Sequence, residues 1–230
     1  MSEITFRDVS VDYDGTTVLS DINLNLTERR IGVIGANGGG KSTLARLING
    51  LGEPSQGQVL VDGVDVAEHG RQIRRRVGFV FSDAENQIVM PRVREDVDFS
   101  LRKLKLPRSE RRHRVDEMLE RFGLSAHAEQ SPHLLSGGQK QLLALAAVLV
   151  LEPEIIVADE PTTLLDLRNR IRIQREFEAL DQQLIVVTHD LDFLRGFDRV
   201  LCIDNHRIEA DGDPDDVIDH YVRLMQERVL

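Results

Sequence analysis

Apolar positions fall into three textures along the chain. The first stretch alternates: Ile4, Phe6 and Val9, then Leu19, Ile22, Leu24 and Leu26. That spacing predicts strands with one buried face. Four later runs are almost unbroken: "RIGVIG" (30–35), "EIIVADE" (154–160), "QLIVVTHD" (183–190) and "RVLCID" (199–204). Such runs predict short strands covered on both faces, as in a parallel sheet. "QVLVDG" (58–63) and "VGFVF" (77–81) read as further strands. The third texture is helical. Leu44, Leu47 and Ile48 in "KSTLARLING" repeat at helical spacing up to Gly50, and Pro54 and Gly57 punctuate the loop beyond. From about residue 83 to 140 β-branched alternation is scarce. "RVREDVDFSLRKL" and "SERRHRVDEMLERFG" read there as amphipathic helices, the second with Ser109 as N-cap and Gly123 as stop. A long apolar helical run spans Leu142 to Leu151, another helix lies between Leu167 and Leu180, and the tail (211–230) reads as an acidic turn and a helix. The prediction is one α/β domain over residues 1–230: a β-rich antiparallel start, a parallel-sheet core and an all-helical insertion at roughly 83–150.

Composition narrows this. At 230 residues a single domain is the default, and 41% apolar content without any Trp predicts a core of Leu, Ile and Val. A net charge of −10 disfavours nucleic acid as a partner, since phosphate backbones attract basic surfaces. Two local basic clusters remain, Arg71 to Arg76 and Arg102 to Arg114. They read as solvated helix faces, or as contacts for anionic headgroups or an acidic partner. Cys202 is the only cysteine, so it is expected to be a small buried side chain, and a reducing setting fits. The N-terminus has no basic-then-apolar leader, and the longest apolar run, about ten residues, is about half of what a bilayer crossing needs. Work at a membrane would therefore be done from the water side.

The chemistry concentrates at strand ends. Gly35, Gly40, Lys41 and Ser42 satisfy G-x-x-x-x-G-K-[ST] between an apolar strand and a helix. Glycines let the backbone N–H groups converge on phosphate oxygens, the helix adds the positive end of its dipole, Lys41 brings a full charge, and Ser42 offers a hydroxyl to Mg²⁺. Asp159 ends another apolar run, where a carboxylate can hold Mg²⁺ through water. Glu160 follows it, placed to polarise a water. "LLSGGQKQ" (134–141) is a second cradle, with its helix expected from about Gln139. One small chain thus carries two phosphate-binding devices.

The ordered set "GANGGGKST", "LSGGQ", "IIVADEPTTLLD" and "VVTHD" resembles the nucleotide-binding subunits of ABC transporters over essentially the whole chain. That resemblance implies a RecA-like P-loop NTPase core, ATP and Mg²⁺ as ligands, and hydrolysis of ATP. It implies a head-to-tail pair of such domains, in which the P-loop of one chain and the LSGGQ turn of the other enclose one nucleotide. By position it assigns nucleotide contacts to Gly35, Asn37, Gly38, Gly39, Gly40, Lys41, Ser42 and Thr43, and adenine stacking to Tyr13. Ser136, Gly137, Gly138 and Gln139 would serve the nucleotide of the partner chain. Glu160 would be the base, His189 the switch histidine at the γ-phosphate, Asp159 and Ser42 the metal side, and Asp166 the loop linking the two sites.

One position departs from the pattern. After the strand ending at Phe81 the family usually has a Gln that touches the metal and the attacking water; this chain has Ser82. The expectation is that Ser82 keeps a weaker metal-side contact, directly or through water, while Gln87 serves the segment that senses the membrane partner. "VGFVFSDAENQIVMPRVREDVDFSL" resembles the energy-coupling-factor branch through Gln87, Glu95, Asp96, Val97 and Phe99, and "RLINGL" fits that branch as well. The branch imports vitamins or transition-metal ions, pairing ATPases with a coupling membrane protein and a substrate-capture membrane protein. Ile88, Val89 and Met90 read either as local core or as part of a groove for the coupling helices. The short chain with "PTTLLDLRNR" and "VFSD" is most similar to ATPases of biotin importers. Cobalt or nickel uptake and a soluble, non-transport ABC ATPase are the alternatives. The DNA-repair kind would need a long coiled coil, the ribosomal kind two ATPase domains in one chain, and a P-loop kinase or GTPase has no use for LSGGQ and His189.

Overall fold

The computed structural model describes residues 1–163 and 165–228; Leu164 of the quoted "PTTLLD" run and the last two residues of the tail lie outside that set. β1 (Ile4–Tyr13) and β2 (Thr16–Leu26) form an antiparallel hairpin with Ile4 opposite Leu26. β3 (Arg30–Gly35) runs into α1 (Lys41–Ile48), followed by β4 (Gln56–Val61), β5 (Val64–Asp65), α2 (Val66–Arg76) and β6 (Val77–Val80). Between β6 and residue 150 the described residues contain only helices: α3 (Val93–Leu101), α4 (Arg108–Arg121), α5 (Gly137–Leu149) and three 3₁₀ turns. β7 (Ile155–Asp159), α6 (Leu167–Glu178), β8 (Gln183–Val187), α7 (Leu191–Leu194), β9 (Arg199–Asp204), β10 (Arg207–Gly212) and α8 (Pro214–Glu227) complete the chain.

The strands make two sheets. One is antiparallel, in the order β2-β1-β4-β5. The other, in the order β10-β9-β3-β8-β7-β6, is parallel from β9 to β6, with β10 added antiparallel at one edge. The unbroken apolar runs are those parallel strands, and every residue of β7 and β8 is buried. Their side chains alternate between two cores. Ile155 and Val157 pack with Phe6, Ile22, Leu44 and Ile48 between the sheets. Ile156 and Ala158 face Val97, Leu119, Leu142 and Phe177 beneath the helices. Each such aliphatic side chain contributes about 1.5–3 kcal/mol on burial. Cys202 is fully buried in a third, smaller core with Ile34, Val217 and Ile218 under α8, and burial pushes its thiol up to about 11.

Two helix starts differ from the sequence reading. Pro107, not Ser109, occupies the N-cap of α4: its carbonyl accepts the first helical bond from Arg111 N, and Ser109 falls inside the first turn. The helix expected from about Gln139 begins at Gly137, with Ser136 as its cap. Gly123 does end α4, at φ 65°. β10 and the first half of α2 are elements the pattern did not single out; the Arg71–Arg76 half of α2 is the helix face expected there. Among the described residues no helix is long and apolar enough to cross a membrane.

Candidate nucleotide-binding site

The P-loop and the Asp159–Glu160 pair sit at the carboxyl ends of parallel strands one strand apart, where ligands of open α/β sheets bind. β8 lies between β3, which ends at Gly35, and β7, which ends at Asp159. The loop from β3 to α1 is fixed by close contacts. Gly35 has φ 144°, and a Cβ there would meet the Ile203 carbonyl oxygen at 2.1 Å. Gly40, the N-cap of α1, has φ 99°, and a Cβ would lie 2.6 Å from both the Val18 oxygen and Leu19 of β2. No side chain can be added at either place without moving backbone. Asn37 and Gly38 are exposed on the outside of the loop, Gly39 N turns back to the Ala36 oxygen at 3.1 Å, and Thr43 lies half-buried in the first turn of α1.

Lys41 is 7% exposed and its Nζ donates to the Gly35 and Ala36 carbonyls at 2.9 and 3.0 Å. Burial lowers its pKa, opposed by the nearby Glu160 and Asp159 carboxylates. Ser42 Oγ donates to Asp159 Oδ1 at 2.9 Å, so the structure joins the two residues expected on the metal side. Asp159 is itself buried, and burial raises its pKa against the lowering effect of the Ser42 bond. A hydroxyl and a carboxylate suit Mg²⁺, a hard cation held by one or two protein oxygens together with substrate phosphates. Among the described residues no three His, Cys, Asp or Glu side chains converge into a cage made of protein alone.

Glu160 follows at φ 49°, in the left-handed region, with its N–H bonded to the Val187 oxygen at 2.8 Å. Such a backbone costs about 1–3 kcal/mol and is characteristic of functional positions. Its Oε2 accepts from Thr163 Oγ1 at 2.8 Å and lies 2.8 Å from His189 Nδ1. The expected base and switch histidine are therefore in contact, with the His189 ring largely in solvent and Glu160 sheltered. Tyr13, at the end of β1, is 52% exposed, with its hydroxyl beside the Gly52 turn that follows α1. Asp166 caps α6, accepting from Asn169 N at 2.8 Å.

The second device has a different construction. Ser136 and Gly137 are exposed. Ser136 Oγ accepts from Gln139 N at 3.3 Å while Gln139 Oε1 accepts from Ser136 N at 2.9 Å, a closed capping box. A Cβ on Gly137 would meet nothing within 4 Å, whereas one on Gly138 would lie 2.2 Å from Asn169 Cγ. The first glycine keeps the outer surface bare, and the second lets α6 pack behind.

Ser82 is exposed and, among the described residues, makes no hydrogen bond to Ser42, Asp159 or Glu160. Gln87 is engaged elsewhere: its Oε1 accepts from Phe81 N and its Nε2 donates to the Ala144 oxygen, both at 3.3 Å. Gln141 Nε2 holds the Phe81 carbonyl at 3.2 Å. These bonds tie the end of β6 to α5. The sequence reading missed Gln141, Thr163 and Asn169, since none stands in a motif of its own.

Of the apolar triplet, Ile88 packs against the helical core and Val89 is 63% exposed. Val89 lines a groove of about 320 Å³ with Leu51, Phe99 and Asp96. Asp96 accepts from Val89 N and Met90 N at 2.8 and 3.0 Å, and burial raises its pKa. Beside this groove Arg71, Arg74, Arg75 and Lys103 line a cleft of about 360 Å³. The rest of both basic clusters is largely paired, as in Arg76 with Asp62 and Glu154, Arg111 with Asp98, and Arg114 with Glu110.

Residues 19–163 match the family model described as "ABC transporter". A "Putative ABC transporter ATP-binding protein" of Deinococcus radiodurans is 53% identical over 98% of each chain. The "Biotin transport ATP-binding protein BioM" of Rhodobacter capsulatus is 42% identical over 98% of this chain and 97% of that protein. Among solved structures, cbiO1 of Clostridium perfringens, described as part of the ABC transporter complex cbiONQ, superposes with a TM-score of 0.83 at 34% identity, over 95% of this chain and 92% of that one.

Proposed function

The chain belongs to the ABC transporter family of ATP-binding cassettes, and from that premise we propose that it is the ATPase of an energy-coupling-factor-type importer, with biotin as the cargo. Its class of reaction is that of the family, ATP hydrolysis coupled to transport. The observation that carries the two-chain reading is the separation of the cradles. The P-loop closes within its own sheet, while Ser136 and Gly137 are exposed and a Cβ on Gly137 would meet nothing in its own chain.

In this reading Lys41 exchanges its two carbonyl partners for β- and γ-phosphate oxygens, and the amides of residues 36–42 take the rest of that charge. Ser42 and Asp159 would hold Mg²⁺, which supplies charge neutralisation across the phosphates. Glu160 accepts the proton of the attacking water, with Thr163 and His189 keeping its carboxylate oriented. By the family resemblance His189 is also the contact to the γ-phosphate once ATP is bound. Ser136, Gly137 and Gly138 complete the site of a second copy of this chain, so ATP joins the two copies and its hydrolysis lets them part. Tyr13 stacks on adenine. Asp166, as the cap of α6, stands between its own Glu160 strand end and the facing protomer.

The groove of Leu51, Val89 and Phe99 fits apolar coupling helices of a membrane partner, with the flanking arginines set toward its acidic groups or the headgroup layer. The protein then works peripherally on the cytoplasmic face, beside a coupling protein and a substrate-capture protein. Biotin is favoured by near full-length similarity to BioM. The test is to purify the tagged chain from detergent-solubilised membranes, identify what copurifies, and measure which label the complex retains. Two integral membrane proteins and bound biotin are expected. Retained cobalt or nickel would replace the cargo, and copurification with no membrane protein would replace the importer by a soluble ATPase.

A further inference from the structure

A polar relay reaches the signature turn from a histidine twelve residues earlier. Ser136 N donates to Gln139 Oε1 at 2.9 Å, Gln139 Nε2 stands 3.0 Å from His127 Nε2, and His127 Nδ1 stands 2.9 Å from Gln130 Oε1. The two ends fix everything between them. Gln130 Oε1 can only accept, so Nδ1 carries the imidazole proton. Nε2 of that tautomer can only accept, so it takes a proton from the Gln139 amide nitrogen. The Gln139 oxygen is then left facing the Ser136 N–H, the one orientation that closes the capping box. Turning that amide over would set its NH₂ against the Ser136 N–H.

The far end of the relay is anchored. Val93 N and Arg94 N donate to the Gln130 and Ala128 carbonyls at 3.1 and 2.9 Å, and Arg94 pairs with Glu129. Val93 and Arg94 open α3, the helix whose Asp96, Phe99 and Ser100 line the groove. The histidine therefore sits between the groove helix and the signature turn, half-buried, in the 3₁₀ turn Ser125–His127.

We propose that His127 is a positioning residue: in its Nδ1–H form it fixes the Gln139 amide and so sets the signature turn for the nucleotide of the facing protomer. The proposal rests on the two-chain sandwich read above. It makes no demand on the P-loop, which separates its test from a test of nucleotide binding.

The experiment uses the full chain carrying Glu160→Gln, which should hold ATP without turnover, and measures ATP–Mg²⁺-driven dimerisation by analytical ultracentrifugation together with ATP affinity by calorimetry. His127→Phe keeps bulk and removes the acceptor. It should weaken dimerisation by about 10- to 30-fold, one relay being lost at each of two sites, with ATP affinity of the monomer unchanged. His127→Gln supplies an amide oxygen as acceptor and should dimerise within about 1.5-fold of the parent. Equal dimerisation of parent and His127→Phe overturns the proposal, as does an equal loss in His127→Gln. If His127→Phe does not hold nucleotide, Gln130→Leu takes its place: removal of the acceptor that sets the tautomer should weaken dimerisation by about threefold, and a parent-like result overturns the proposal. A Glu160→Gln parent that stays monomeric in ATP and Mg²⁺ defeats the sandwich itself, and the role of His127 with it.

Discussion

The chain holds two glycine-rich turns at helix N-termini, and they use glycine for opposite reasons. In the P-loop Gly35, Gly38 and Gly40 all have positive φ, and a Cβ on Gly35 or Gly40 would collide with backbone. Those glycines are demanded by the path of the chain. Gly137 and Gly138 lie in α5 with ordinary helical backbone, and a side chain on Gly137 would point into open space. There glycine leaves a bare surface, the one the proposed two-chain site would use. The first turn is locked from within by a buried lysine; the second is held from behind by a capping box and Asn169. A turn locked by its own strands is a receptor, and a bare turn held from behind is a surface for docking.

Substitutions can break or sharpen this contrast. The largest effect belongs to Glu160→Gln, which should lower turnover by about 10²–10⁴-fold, the usual worth of a positioned base, while trapping ATP-bound dimers visible by light scattering. A variant that hydrolyses ATP at the parent rate would move the base elsewhere. Next comes a paired comparison. Gly35→Ala should lose about 3 kcal/mol or more of stability in urea titration, since both φ and the Ile203 carbonyl oppose it. Gly137→Ala should leave stability unchanged or raise it by up to about 1 kcal/mol and yet weaken ATP-driven dimerisation by about tenfold or more. Equal destabilisation by the two would erase the distinction. Lys41→Ala removes a charge-assisted contact worth about 1.5–3 kcal/mol, so ATP should bind about 10- to 100-fold more weakly by calorimetry.

The smallest effect concerns Asp159. Burial raises its folded pKa, so its ionised form opposes folding. Its stabilising contribution is present below the ordinary carboxylate range, near about pH 4, and is lost as pH rises through the folded pKa toward neutrality. Asp159→Asn should flatten that part of the stability–pH curve and leave Tm at pH 7 equal or higher, while Mg²⁺-dependent turnover falls. A lower Tm would mean that the Ser42 bond outweighs burial.

Much of this was legible in the sequence because the parallel strands are buried along all or nearly all of their length: β3, β7, β8 and β9 stand out as apolar runs, and the P-loop, Asp159 and Glu160 lie at their ends. β10 escaped notice because its alternate residues are exposed on a sheet edge. The first half of α2 escaped because only Val66 and Ile73 of the helix's eleven residues are buried. Ser109 was a fair N-cap by type, but the carbonyl of Pro107 was already in place to accept the first bond. The relay through His127, like the clasp of Gln87 and Gln141 on Phe81, joins residues that only the packing of α3 and α5 brings together. No local pattern encodes it.

Asn169 has a further consequence. Its backbone is held by Asp166, a few residues beyond Glu160, and its side chain lies behind Gly138. One residue of α6 thus links the cap Asp166 to the rear of the Gly137–Gly138 turn. In the proposed head-to-tail pair each such turn would serve the other chain's nucleotide, so a shift of α6 in one chain would move the rear of a wall of the opposite pocket. Such wiring would give the pair a way to keep the two pockets in step.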